Sequence, residues 1–292
     1  MNLQWQASAQ LSVIHWAWCV AHYPDRLKSG SGEMRSAAGE LDELASEFKT
    51  TRDKFWELLL TLACVTDGAG DLAQRLSARL GGSSATLRAR LTGAIQQCRM
   101  QFDRSFPKFA TEIPLRSGPM RQLWEGCGPG LLRLIERQTG QDVFVEDASV
   151  VLVQPILGGF GYAHLSGNRI HLEAMLTHSA PELPESLRIA WLISQLDLDR
   201  PEYSEQINAH RLRSVAGLAM LPVILCAGEE LELCRFSPEL LTQAIELWFC
   251  PTLGHTAATA SAVTNIWWET YRGSRPRWRV ALTGLDRLLP TT

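Results

Sequence analysis

Apolar positions recur every three or four residues through most of this chain, and that spacing predicts helices. Leu3, Ala7, Leu11, Ile14 and Trp18 form the first stripe, which "YPDRLKSGSG" breaks with proline and glycine. Leu41, Leu44, Phe48, Phe55, Leu58 and Leu62 form the second, with Thr51 in the one slot where an apolar residue is missing. This spacing predicts a long helix, either packed within a bundle or pairing as a short coiled coil of about three heptads. A short helix is expected near Leu72 to Leu80 and another from about Ala85 to Phe109, followed by a loop at "EIPLRSGP". After Gly130, "LLRLIERQTG" closes a helix on a glycine cap.

Beyond residue 140 the pattern changes. "QDVFVEDASVVLVQP" is valine-rich with partial alternation, and "ILGGFGYAHLSGNRIHLEAML" gives two short strand-like runs around the turn "SGN". Two or three strands are therefore predicted between about Val143 and Glu173, as a small antiparallel sheet. Helices return at about 184–198, 203–227, 237–249, 257–271 and 277–289. The fold class is α+β and mainly helical. Residues 1–139 make a helical N-terminal region, and residues 140–292 make a small sheet plus helices. The two are packed either as one domain or as two.

Composition narrows the function classes. Hydrophobic residues at 46% and charged residues at 20% fit a soluble globular protein. A net charge of -3 supplies no basic field, so a nucleic-acid partner is not expected. Seven scattered cysteines without a C-x-x-C pair point to neither a disulfide framework nor a zinc ribbon. The opening "MNLQWQASAQ" has no secretory pattern, so the reducing cytoplasm is the expected compartment. The longest apolar run, Val215 to Gly228, falls short of the roughly 20 residues a membrane span needs and contains Pro222, which predicts a core helix and no membrane partner.

The order after residue 140 is strand, hairpin, strand, then the proline-led helix "PESLRIAWLISQLDLD". Over about residues 140–235 this order resembles the core of zincin-like metallopeptidases. In that family an edge strand runs above the cleft and the next helix carries H-E-x-x-H, two histidines one turn apart on zinc with a glutamate activating its water. If "NRIHLEAML" is the edge strand, Trp191 and Gln195 stand where the histidines belong and Leu192 where the glutamate does. None of these can do that chemistry, and no H-x-x-x-H occurs anywhere in the chain. The resemblance therefore implies a scaffold that has lost its zinc.

A metal site outside any known motif would draw on His171, Glu173, His178 or His210. His171 and Glu173 lie two apart in an expected strand, where they can share a face. His164, His171 and His178 recur every seven residues, an odd spacing that sends neighbours in one extended chain to opposite faces. Glu229 and Glu230 follow the apolar helix, Asp197 and Asp199 close the 184–198 helix, and Arg211 and Arg213 can neutralise such acids. The run "LGGFGYAHLSGN" matches no phosphate-loop pattern and reads as hairpin glycines. Trp267, Trp268 and Trp278 alternate with Arg272, Arg275, Arg277 and Arg279, which predicts intramolecular cation–π packing or a partner-facing patch.

The candidate ligand-binding set is His171, Glu173, Trp191, Gln195, His210 and Glu229. No catalytic or metal-ligating set is identified, and no cofactor is implied. Three functions stay open. The leading one is a non-catalytic interaction or scaffold protein with a protein or peptide partner. The others are a hydrolase of unrecognised type using carboxylates or histidines in the 160–230 region, and a helical self-associating protein. The oligomeric state is not specified by the sequence.

Overall fold

The computed structural model describes residues 1–27, 32–81, 84–140, 144–176, 180–198 and 200–289. They form two compact units, one of Gln6–Ser117 with Val151–Leu157, the other of Met1–Trp5, Gly118–Val150 and Gly158–Thr292. The chain thus passes between units four times, inside two strands, inside a helix and between residues 157 and 158, and none of these crossings coincides with the 139/140 division.

β1 (Asn2–Ala7) leads into α1 (Ala9–His22) of the first unit, where α2 (Gly32–Glu47), α3 (Arg52–Ala63) and α5 (Ala85–Ser105) pack against α1, and α4 (Ala69–Arg79) packs against α3 and α5. The helix expected to start at Leu3 begins instead at Ala9, because Ser8 is its cap and accepts from Leu11 N at 3.0 Å. The preceding "NLQWQA" alternates polar and apolar residues, a strand period that the longer helical stripe concealed. The stripe from Leu41 to Leu62 is also not one helix. Lys49 turns the chain with a φ of 54°, and Thr51 caps α3 by accepting from Lys54 N. Leu41, Leu44, Phe48 and Phe55 are buried within the unit, as the bundle reading expects, and the break at Lys49 leaves no continuous seam for the coiled-coil alternative.

The predicted loop at "EIPLRSGP" lies inside α6 (Phe109–Thr139), which runs through Pro114, Pro119 and Pro129. An interior proline removes one helical hydrogen bond. Here the apolar stripe Ile113, Met120, Trp124, Leu131 and Ile135 continues across all three and is buried, which outweighs the breakers. Gly140, with a φ of 66°, ends the helix as expected, its N–H bonded to Glu136 O at 2.8 Å.

The second unit is built around β2 (Asp147–Val153), β3 (Gly161–His164) and β4 (Arg169–Glu173), then α7 (Glu185–Ile193), α8 (Pro201–Ser204), α9 (Ala209–Glu230), α10 (Pro238–Leu247), α11 (Ala257–Ser274) and α12 (Trp278–Leu288). The sheet order is β1-β2-β4-β3. β3 and β4 form an antiparallel hairpin, turned by Gly167 and Asn168 at positive φ. β1 and β2 advance together, with Asn2 N bonded to Glu146 O and Ser8 N to Leu152 O. The sheet is therefore mixed, and it has a strand from the chain's start that the antiparallel expectation left out. Val143 lies outside the described residues.

α9 is the only described helix long and apolar enough to cross a membrane, and 83% of its most apolar stretch is buried within the protein. It packs against α7, α10, α11 and α12. Trp267, Trp268 and Trp278 are buried, and among the described residues they pack ring on ring with no cation–π partner. Trp267 stacks on Tyr271 at 5.7 Å and meets Trp278 edge-on at 5.8 Å.

Candidate functional site

The region that the sequence marks as a candidate cleft is assembled from the β3–β4 hairpin, α7 and α9, all in the second unit. All nine residues of α7 are buried. The helix stops at Ile193, short of the expected 198, and Gln195 falls in the turn beyond it. Positions 191 and 195 therefore do not share the continuous helix on which a pair of metal ligands one turn apart would sit. The strand taken as the edge, "NRIHLEAML", is β4 and lies inside the sheet, while β3 ends the strand order.

Each overlay position is occupied by core packing. Trp191 is 2% exposed, donates its indole N–H to Gly217 O at 2.9 Å and packs on Trp248 with ring centres 5.7 Å apart. Leu192 is 1% exposed and presses on β3 so closely that a Cβ on Gly161 would lie 2.5 Å from its Cδ1. Gln195 turns back to donate to Trp191 O at 3.0 Å. Gly228 allows the crossing of α7 and α9, since a Cβ there would meet Leu187 at 2.8 Å. A large apolar helix face and small residues opposite it fix this packing.

Two charged side chains lie within that core. Arg188 is 0% exposed and Glu185 3%. The Arg188 Nε donates to Glu185 Oε2 at 3.0 Å, with Nη2 also bonded to that oxygen. The rest of the guanidinium donates to Phe160 O at 3.0 Å and Glu173 O at 2.8 Å. Arg188 thus ties the start of α7 to the adjacent ends of β3 and β4. Arginine suits this role because its planar fork can satisfy several acceptors at once.

Glu173 is fully buried at the end of β4. Its Oε2 accepts from Gly158 N at 2.7 Å, Gly159 N at 2.8 Å and Phe160 N at 3.3 Å. The glycine-rich turn is an anion cradle, and the anion it holds is the protein's own carboxylate. Gly159 has to be glycine: its φ is 156° and a Cβ would lie 2.5 Å from Leu247 O. These two glycines serve that carboxylate, and Gly167 alone belongs to the hairpin turn.

His164 and His171 face each other across the hairpin, Nε2 to Nδ1 at 2.7 Å, both buried. Their odd spacing does not separate them, because the hairpin reverses the chain. With Tyr162 opposite His171 and Ala163 opposite Ile170, the two histidines become diagonal neighbours on one face. Two nitrogens on one tetrahedral zinc lie about 3.4 Å apart at metal–nitrogen bonds of about 2.1 Å, so the 2.7 Å contact is a hydrogen bond and not a ligand pair. Arg213 donates to Ala163 O at 2.8 Å and lies 4.2 Å over the Tyr162 ring.

Burial, with the positive charges of Arg213 and Arg169, pushes the His164 pKa down to about 3. A folded-state pKa below the ordinary value of about 6.5 means that the unfolded chain binds a proton more readily below that pH. Stability is then complete above pH 6.5 and is lost as pH falls from there toward 3, by about 1.4 kcal/mol per pH unit. The unfolding free energy is expected to drop by about 2 kcal/mol from this group between pH 6.5 and 5. Urea titrations of the native chain and His164→Asn check this, and equal pH slopes in the two would rule it out.

The remaining candidates do not converge on this cluster. His210 is exposed in the first turn of α9 and Glu229 in its last, about 28 Å apart along the axis at about 1.5 Å per residue. Arg211 pairs with Asp286 at 2.7 Å and Asp197 with Arg200 at 2.6 Å, so the expected pairing of Arg211 and Arg213 with nearby acids takes other partners. His178 and Asp199 lie outside the described residues. Sequence reading missed Arg188, Glu185 and the joining of His164 to His171. A charged pair three apart inside the apolar run "ESLRIAWLI" was the available signal for the first two. Compared with protein-family models, curated proteins and solved structures, the chain matches none.

Proposed function

We propose that this chain is a non-catalytic interaction or scaffold protein, with a core of zincin-like element order that has no zinc chemistry. The observation that carries this reading is the burial of Trp191 and Leu192 at the positions where the resemblance implies ligand and base. The hydrogen bonds that Glu173 and Arg188 make to the backbone of the β3–β4 hairpin and the turn before it add support, since these charged groups are turned toward the protein. The hydrolase alternative needs His171, Glu173, His210 and Glu229 to meet in one cleft, and their dispersal weighs against it.

A protein or peptide is the partner class assigned. Strand addition at β3 is disfavoured as the binding mode, because Arg213 already occupies the Ala163 carbonyl. Seven free thiols suit the cytoplasm, the compartment assigned to it. Elemental analysis of untagged protein, followed by incubation with a fluorogenic peptide library and added zinc, tests the reading. The expected result is less than about a tenth of a metal equivalent per chain and no peptide cleavage. Near-stoichiometric transition metal, or zinc-dependent turnover, would contradict it.

A further inference from the structure

The sheet has two edges, β1 and β3. An edge strand presents backbone N–H and C=O groups that no neighbour takes, and proteins usually blunt it with a charged side chain, a proline, a bulge or a covering group. β3 is blunted in this way, since Arg213 donates to Ala163 O. β1 is not. Its segment from Asn2 to Ser8, "NLQWQAS", contains no charged residue and no proline, and Asn2, Gln4, Gln6 and Ala7 are exposed. It has no bulge either, because the bonds from Asn2 N to Glu146 O and from Ser8 N to Leu152 O enclose equal lengths of the two strands.

The direction of the free groups follows from the pairing with β2. In a parallel pair, every second residue of a strand directs both its N–H and its C=O to the neighbour. Asn2 and Ser8 bond to the β2 side, so the even-numbered residues of β1 face β2. Leu3, Trp5 and Ala7 turn their N–H and C=O groups outward, where no described strand lies. Donor and acceptor repeated at every second residue fit one kind of occupant, another extended strand. The side chains say which. Read outward from Trp5, the segment gives Gln4, Leu3 and Asn2 one way and Gln6, Ala7 and Ser8 the other, an amide, an apolar residue and a small polar one in both directions.

We propose that β1 pairs antiparallel with β1 of a second copy of this chain, about a two-fold axis at Trp5. Trp5 then lies opposite its own counterpart, Leu3 opposite Ala7 of the other copy, and Gln4 opposite Gln6. The outward residues exchange about six backbone hydrogen bonds, two at each opposed pair. Half-buried Leu3 and Trp5 gain apolar neighbours on one face, and the exposed glutamines meet amide to amide on the other. No like charges are brought together, because the strand has none. This pairing uses no helix, and it stands whether or not the α7 core is catalytic.

Sedimentation equilibrium of the whole chain from about 1 to 300 µM tests the assignment. An interface one strand wide is small, so a reversible monomer–dimer equilibrium with a Kd of about 10–100 µM is expected. Gln4→Lys with Gln6→Lys places like charges opposite one another and is expected to weaken the dimer at least about tenfold. Gln4→Lys with Gln6→Glu places opposite charges there in this register alone, and is expected to restore the dimer at least to its native strength. Both positions are exposed, so each variant is expected to keep the unfolding midpoint of the native monomer. The assignment is overturned by a chain that stays monomeric to about 300 µM, which would leave the edge to water or to another protein's strand. A dimer unchanged by the like charges, or one as weak with the opposite charges as with the like ones, would overturn it equally.

Discussion

Arg188→Met is expected to lower the unfolding free energy by about 3–5 kcal/mol, the largest effect of any single substitution considered. Methionine fills most of the space, so the loss is electrostatic and not a cavity. Two consequences combine. Glu185 is left as a buried carboxylate without its guanidinium, and the carbonyls of Phe160 and Glu173 each lose a donor. A double variant, Glu185→Gln with Arg188→Met, separates them. It removes the stranded charge and is expected to recover about half of the loss, the remainder belonging to the two carbonyls. Chemical denaturation of the three proteins measures this. A loss below about 1 kcal/mol in Arg188→Met would show that water reaches the pair.

Glu173→Ala is expected to cost about 3–4 kcal/mol, because the N–H groups of Gly158, Gly159 and Phe160 share this one acceptor. Glu173→Gln keeps an oxygen for them but surrenders the negative charge, and a loss of about half that size is expected. The amides of Gly158 and Gly159 provide a local readout. Their hydrogen exchange should accelerate in Glu173→Ala far more than exchange in α12. Unchanged exchange at these two glycines would remove Glu173 from the role of holding the turn. The positive φ at both positions makes the turn dependent on that anchor, since without it little holds the chain in this conformation.

The parts of the fold legible in the sequence are those whose determinants are local. α10 and α11 start where expected because Ser237 and Thr256 cap them, and the turn at Gly167 and Asn168 follows from their tolerance of positive φ. α6 was hidden by its prolines, although the stripe from Ile113 to Ile135 crosses them without a break. β1 was hidden by two coincident periods in one short segment, Leu3 and Ala7 serving the helical one and Leu3 and Trp5 the strand one. The site was harder to read because its contacts are tertiary. Nothing local tells that Glu173 faces a glycine turn, or that Arg188 is buried when most arginines are not. The histidine pair depended on knowing the hairpin register.

The central claim is that α7 is the core of its unit and not the floor of a working cleft. Hydrogen exchange of the amides from residues 188 to 193 tests it most directly. The expected result is that these amides exchange in the slowest class, at the rate set by global unfolding, as do those in the buried middle of α9. Exchange that is orders of magnitude faster, through a local opening that leaves α9 protected, would contradict it and make α7 a movable wall with Trp191 accessible.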